Sequence, residues 1–123
     1  MTRIFFALGS IAALLAVAAG AFGAHALEAR LTPERLDTVW LGAQYQMYHA
    51  LGLLAVAWAT TRWPGGLTTA AGWLFVAGIL IFSGTVYALG LGAPRWLGAI
   101  TPIGGTAFLL GWLLLTWAAL RGS

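Results

Sequence analysis

The chain has 123 residues, of which 61% are hydrophobic and only 7% are charged, whereas soluble domains carry about 25% charged residues. So little charge excludes an ordinary domain dispersed in water, and the absence of cysteine excludes disulfides, thiolate catalysis and cysteine-ligated metals. The formal net charge is +3, but the arginines are scattered singly, so the basic stripe of a nucleic-acid-binding protein is absent from the sequence.

Four long uncharged runs lie between the nine charged residues. Each run holds 24 residues or more, and about 20 apolar residues are enough for a helix to cross a bilayer. We therefore predict a single all-α domain, a polytopic bundle of four transmembrane helices that cover about residues 4–27, 38–61, 67–90 and 96–120.

The first predicted span carries two further signals. Arg3 before it and Ala24-His25-Ala26 near its end resemble a secretory signal with a cleavage site. We favour a retained helix, because the apolar stretch exceeds 20 residues and signal-peptide cores have about 7–15. The span also has a stripe of small residues spaced by four, where a neighbouring helix can approach closely: Ala12, Ala16, Gly20 and Ala24.

The second helix has a well-marked start in the polar loop that precedes it. Thr32 is a good N-cap, Pro33 fits the first helical position, and Glu34 suits the positive end of the helix dipole. We expect this helix to begin near Pro33 and to end near Thr61. Its length of roughly 43 Å exceeds the hydrocarbon core, so the helix must protrude, tilt or bend.

A Trp-Pro-Gly-Gly turn at residues 63–66 leads into the third span. Gly84, Ala88 and Gly92 form a second stripe of small residues there. In the fourth span, Thr101-Pro102 interrupts the apolar run. One interpretation is a single helix kinked at Pro102, and the other is a restart with Thr101 as N-cap. We favour the kink, because proline-kinked membrane helices are common.

With four alternating spans, most polar side chains fall in one leaflet. Such groups are costly in hydrocarbon unless they bond to one another, so they predict either a hydrogen-bonded packing cluster, which we favour, or a polar cavity for a ligand or ion. The candidate residues of this polar leaflet are His25, Gln44, Tyr45, Gln46, Tyr48, His49, Ser83, Thr85, Tyr87, Thr101 and Thr106.

Orientation is left open by the arginines, since three lie on each predicted side of the membrane. We favour both termini in the cytoplasm, because the first helix often dominates topology and the acidic residues of the first loop dilute its arginine pair. A multi-pass protein of the cell (inner) membrane is therefore the expected location.

Four segments in order resemble the signature blocks of the DUF423 family, small bacterial four-helix membrane proteins of unknown function. The resemblance covers essentially the whole chain and implies the fold and the membrane location, but no reaction. The four segments are GAFGAHAL at residues 20–27, QYQMYHA at 44–50, FSGTVY at 82–87 and WLGAITPIGG at 96–105.

Three functions compete at this point. We favour a structural or assembly component of the membrane that forms a homo-oligomer or binds a membrane-protein partner, because small-residue stripes favour helix association. The alternative is a transporter or channel for a small solute, lipid or proton, although no acidic residue lies deep in a span. A haem or quinone site at His25 and His49 is a third hypothesis, but we expect no cofactor, no metal and no catalytic residue, since no nucleophile, base and acid occur together.

Overall fold

The structure is a computed structural model that describes residues 1–122, and all regular structure in this part of the chain is helical. The all-α prediction is therefore confirmed. We number the helices α1 to α4 in chain order, and a 3-10 helix, Arg95–Ala99, immediately precedes the last one. The helices are α1, Thr2–Leu27; α2, Pro33–Arg62; α3, Gly66–Gly90; and α4, Thr101–Arg121.

The start of α2 is the one the sequence predicts. Thr32 is the N-cap, and its hydroxyl oxygen accepts a hydrogen bond of 3.3 Å from the backbone N–H of Arg35. Pro33 occupies the first turn. A backbone N–H at this position would have no intrahelical acceptor, so the helix loses no hydrogen bond because proline lacks one. At the other end of α2, Gly65 has a φ of 137°, a backbone conformation that residues with a side chain rarely adopt. Glycine at this position therefore permits the tight turn into α3.

Neighbouring helices run antiparallel. The hydroxyl of Thr2 at the start of α1 bonds to that of Thr60 near the end of α2. In the same way, Thr85 near the end of α3 bonds to Thr101 at the start of α4, with 2.7 Å between the hydroxyl oxygens. Since α2 and α3 are joined by a tight turn, the four helices alternate up and down. Helices α2 and α3 form the centre, with α1 packed chiefly on α2 and α4 chiefly on α3.

Aromatic rings packed over glycines form a large part of the core. The ring of Phe5 occupies the space over Gly72, so the beginnings of α1 and α3 lie side by side and these helices point in the same direction. The ring of Phe75 packs against both Gly52 and Gly111 and joins α2, α3 and α4. Glycine lets helix axes approach closely, and the rings fill the gaps that the missing side chains leave.

Two of the long helices contain a wider, π-helical turn. In α1 it covers Ala18–Gly23, and in α3 it covers Ile79–Ser83. The helix continues without a break on both sides of each turn. Nothing in the hydropathy pattern predicts these turns.

Three of the helices, within residues 1–122, are long and apolar enough by themselves to cross a membrane: α1, α3 and the run Arg95–Arg121. The sequence predicts four membrane-spanning helices, and the length and apolar character of the helices do not confirm the fourth. Helix α2 is long enough but less apolar. Its middle carries Gln44, Gln46 and His49. Gln46 and His49 are among its eleven buried residues, more than any other helix has.

The favoured kink in α4 is wrong. The chain is 3-10 helical up to Ala99 and α-helical from Thr101 onwards, so Pro102 lies in the first turn of the α-helix and not in its middle. The restart is closer to the structure, but Thr101 does not act as a side-chain cap. Its hydroxyl instead bonds to Thr85 and to the carbonyl of Leu97.

Candidate functional site

The structure separates the predicted polar residues into interior and surface groups. Gln46, His49 and Ser83 are buried. Thr85, Tyr87 and Thr101 are partly buried, and they meet residues of neighbouring helices. The remaining members lie on the surface of the bundle: His25, Gln44, Tyr45, Tyr48 and Thr106.

Gln46 ties three helices together. Its side-chain oxygen accepts a hydrogen bond of 2.7 Å from the hydroxyl of Tyr87 on α3. Its side-chain nitrogen donates a hydrogen bond of 2.8 Å to the backbone carbonyl of Ala12 on α1. Each such bond between helices stabilises a membrane bundle by about 0.6 kcal/mol on average. Gln46 is therefore a buried amide whose oxygen and nitrogen both have partners inside the bundle.

His49 lies in an aromatic enclosure between α2 and α4. Its ring stacks on Phe108 with the ring centres 3.5 Å apart and an interplanar angle of 6°. The indole N–H of Trp112 donates a hydrogen bond of 3.0 Å to Nε2. Indole nitrogen is only a donor, so Nε2 carries no proton, and Nδ1–H donates to the carbonyl of Tyr45 at 2.7 Å. This arrangement is a neutral imidazole with both nitrogens used.

Two further hydroxyls, those of Ser83 and Thr85, also link helices. Ser83, at the end of the π-helical turn of α3, donates a hydrogen bond of 3.2 Å to the backbone carbonyl of Gly42 on α2. Thr85 bonds across to Thr101. Within the described residues, no buried side-chain nitrogen or oxygen lacks a partner. The interior polar groups therefore make several separate helix-to-helix contacts, and they do not line one continuous polar cavity.

His25 lies apart from this interior. Its Nδ1 is 3.9 Å from a carboxylate oxygen of Glu28, and both side chains are largely exposed at the end of α1. His49 is buried on α2, and both of its ring nitrogens already have partners. The geometry therefore offers no pair of free imidazoles for a haem. Ser83 and His49 also bond to different partners and form no nucleophile–base pair.

The small residues predicted to mediate packing have two different placements. In α1, Ala16, Gly20 and Ala24 are buried and Ala12 is half-buried, so this stripe lies against α2. In α3, Ala88 is half-buried, whereas Gly84 is exposed and has no neighbouring atom within 4 Å of the place a Cβ would take. Closer contacts occur at glycines that the stripe pattern did not single out: Gly9, Gly72, Gly78, Gly90, Gly104 and Gly111.

Two lateral grooves flank the central helix pair. The first lies between α1, α2 and α3, is almost entirely apolar and has a volume of about 160 Å³. The second, which we call the α4 groove, lies between α2, α3 and α4 and has a volume of about 500 Å³. Its walls carry five aromatic side chains, those of Tyr45, His49, Phe82, Phe108 and Trp112.

Apolar helices with outward-facing hydrophobic side chains and an internally bonded interior define this chain as a helical-bundle membrane protein. It belongs to the family described as "Protein of unknown function (DUF423)", whose sequence pattern matches residues 19–105. The predicted resemblance is thus confirmed.

Its relatives are membrane proteins by name. The UPF0382 membrane protein YwdK of Bacillus subtilis is 53% identical over 89 residues, which are 71% of this chain and 72% of the relative. The UPF0382 membrane protein SERP0230 of Staphylococcus epidermidis is 45% identical over 119 residues, 97% of each chain. A UPF0382 membrane protein of Haemophilus influenzae is 38% identical over 124 residues, which cover 100% of this chain and 98% of the relative. No solved structure matches the chain.

Proposed function

We propose that all four helices cross the bacterial cell membrane, with both termini in the cytoplasm. The direction of the helices supports this proposal. Helices α1 and α3 point the same way, and each is apolar and long enough to span. The chain between two parallel spans has to return across the membrane, and α2, with 30 residues or about 45 Å, is long enough to do so.

The polar side chains of α2 are compatible with this crossing. Gln46 and His49 face inward, and their polar atoms bond to α1, α3 and α4 or to the backbone of α2 itself. A polar group in the membrane is tolerated when it is satisfied within the bundle. These two buried residues, together with the exposed Gln44, Tyr45 and Tyr48, lower the hydropathy in the middle of α2.

The cysteine-free sequence makes a topology test direct. Single cysteines at Ala29, Gly66 and Ala93 place one thiol in each connection, and a membrane-impermeant maleimide is added to inside-out and right-side-out vesicles. Four spans predict that Ala29→Cys and Ala93→Cys label from one side and Gly66→Cys from the other. Labelling of Ala29→Cys and Gly66→Cys from the same side would show that α2 does not cross.

We further propose that the protein is a structural or assembly component without catalytic activity. The observation that carries this is the use of the interior polar groups: each one bonds to a neighbouring helix or to backbone, and the aromatic–glycine core fills the centre. Because the buried polar side chains of residues 1–122 all have partners, we expect the interior to serve packing and the outer surface to serve interaction. Exposed Gly84 offers a close approach to a second helix there.

A cross-linking experiment tests assembly. Gly84→Cys in native membranes, under oxidising conditions, is expected to give a disulfide-linked dimer or a covalent adduct with a partner protein. Leu14→Cys, on the exposed face of α1, is the matched control and is expected to give neither. A single-chain mass in nanodiscs, together with no cross-link at Gly84 above the control and no co-purifying protein, would refute assembly.

A further inference from the structure

The α4 groove is open because α4 contributes little side-chain bulk to it. Gly105 on α4 lines it without a side chain, and a Cβ there would meet the ring of Phe82 only at 3.8 Å, an ordinary contact. Pro102, one turn earlier, also lines the groove and carries no long side chain. The depression therefore lies where α4 carries short side chains opposite α2 and α3, beside the filled core.

The groove lies within the depth of the membrane. Its residues on α4 run from Pro102 to Trp112, the first half of a helix that ends at Arg121. On α2 it is bordered by Tyr45 and His49, close to the middle of Pro33–Arg62. A groove at this depth faces hydrocarbon and not lipid headgroups.

Most of the groove lining is apolar, and most of its polar side-chain groups already have partners inside the protein. Both ring nitrogens of His49 are already bonded, and the hydroxyl of Thr106 donates to the backbone carbonyl of Pro102 at 2.8 Å. What the groove presents to an occupant is mostly aromatic rings and aliphatic carbon. Leu109 on its rim is 73% exposed, so the groove opens sideways onto the lipid-facing surface.

We propose that the α4 groove is a binding site for one hydrocarbon chain of a membrane lipid, held between the rings of Tyr45, Phe82 and Trp112. Its volume of about 500 Å³ is within the usual range of ligand sites, about 300–1,000 Å³. The smaller groove beside α1, at about 160 Å³, falls below that range. A groove at the end of α1, at about 320 Å³, is within it, but its lining includes the polar side chains of His25 and Glu28. Acyl chains reach the site directly from the surrounding leaflet, because no helix covers its open side. The site rests on the proposed crossing of α2, since α2 forms one of its walls.

Photolabelling in nanodiscs tests the site. The purified protein is reconstituted with phosphatidylglycerol that carries a diazirine in the middle of one acyl chain, irradiated and digested, and the labelled peptides are identified by mass spectrometry. We expect the peptide that contains Gly105 and Leu109 to be labelled most strongly. Its labelling should saturate with added probe and fall when unlabelled phosphatidylglycerol is in excess, whereas labelling on the outer face of α1 should rise in proportion to the probe.

A matched pair of variants locates the binding. Gly105→Leu fills the groove where a Cβ is tolerated, and Gly98→Leu adds the same side chain outside the groove, where the nearest neighbour is 4.0 Å away. If the leucine displaces about two methylene groups, the saturable labelling falls roughly tenfold in Gly105→Leu and is unchanged in Gly98→Leu. Circular dichroism and size-exclusion profiles identical to the wild type are the folding control.

Two results would overturn the proposal: labelling spread evenly over all lipid-facing helices without saturation, or undiminished saturable labelling in folded Gly105→Leu. If that variant does not fold, the saturation behaviour of the wild type decides. The thiol-labelling experiment reports separately on the crossing of α2. A four-span result with no saturable site removes the lipid site alone, whereas α2 outside the membrane removes the proposed topology and, with it, the site that α2 helps to form.

Discussion

Gly104 is the position where one added methyl group should disturb the bundle most clearly. It lies where α4 crosses α3, and a Cβ there would overlap the backbone nitrogen of Phe82 and approach the Cβ of Phe82 to 2.8 Å. The backbone nitrogen and the Cβ of Phe82 are fixed by the backbone of α3 and cannot rotate away. Gly104→Ala therefore has to push α3 and α4 apart. The neighbouring hydrogen bond between Thr85 and Thr101, 2.7 Å long, would stretch with them.

The expected cost follows from three terms. Overpacking of a well-packed contact costs about 1–3 kcal/mol, and the upper end applies because the obstacle is backbone. Loss of one interhelical hydrogen bond adds about 0.6 kcal/mol, and the better helix propensity of alanine returns up to about 1 kcal/mol. We expect Gly104→Ala to lower the free energy of unfolding by about 2.5 kcal/mol.

The adjacent Gly105 supplies the control. A Cβ at Gly105 is 3.8 Å from the nearest atom, a ring carbon of Phe82, so Gly105→Ala should be neutral or stabilise by up to about 1 kcal/mol. The assay is reversible unfolding in mixed micelles, followed by circular dichroism as the fraction of denaturing detergent rises. Equal stability of the two variants would refute the argument that α3 and α4 meet backbone to backbone at Gly104.

Three further substitutions test other contacts by the same unfolding assay. Gln46→Leu removes two interhelical hydrogen bonds and should lower the free energy of unfolding by about 1–2 kcal/mol. A double-mutant cycle with Tyr87→Phe should give a coupling energy of about 0.6 kcal/mol, and purely additive effects would contradict the hydrogen bond between Gln46 and Tyr87. Trp112→Phe keeps a ring but removes the donor to His49, so it should cost about 0.6–1.7 kcal/mol, and an unchanged ¹⁵N shift of the His49 Nε2 would count against that bond. Thr32→Ala removes the N-cap of α2 and should cost about 0.5–2 kcal/mol, whereas Thr32→Ser should retain most of the stability.

The sequence predicts the helices better than it predicts their faces. Thr32 and Pro33 mark the start of α2 because capping depends on adjacent residues alone. Gln44 and Gln46 belong to the same predicted polar leaflet, yet Gln44 is exposed and Gln46 is buried. Two residues along a helix are about 200° apart around its axis, so depth in the membrane, which the sequence indicates, does not determine which side chain faces the interior.

For the candidate site, too, the sequence indicates the depth of a residue in the membrane but not whether its side chain faces the interior. His25 and His49 were assigned to one polar leaflet, but only His49 enters the bundle. The α4 groove had no signal in the sequence, because it arises from what three helices fail to fill together. Gly105 lines that groove while Gly104 closes the α3–α4 contact, and nothing local distinguishes two adjacent glycines.

The sequence by itself determined the class of this protein, because long apolar runs parted by charged joints can satisfy their backbone groups in lipid only as helices. It also determined the capped start of α2 and the family to which the chain belongs. Only the tertiary structure decided which glycines pack against an aromatic ring, which polar side chains bond across helices, and where a groove remains open. The reason is that close packing depends on the rotation and relative height of neighbouring helices, and these are set by contacts between residues far apart in the chain.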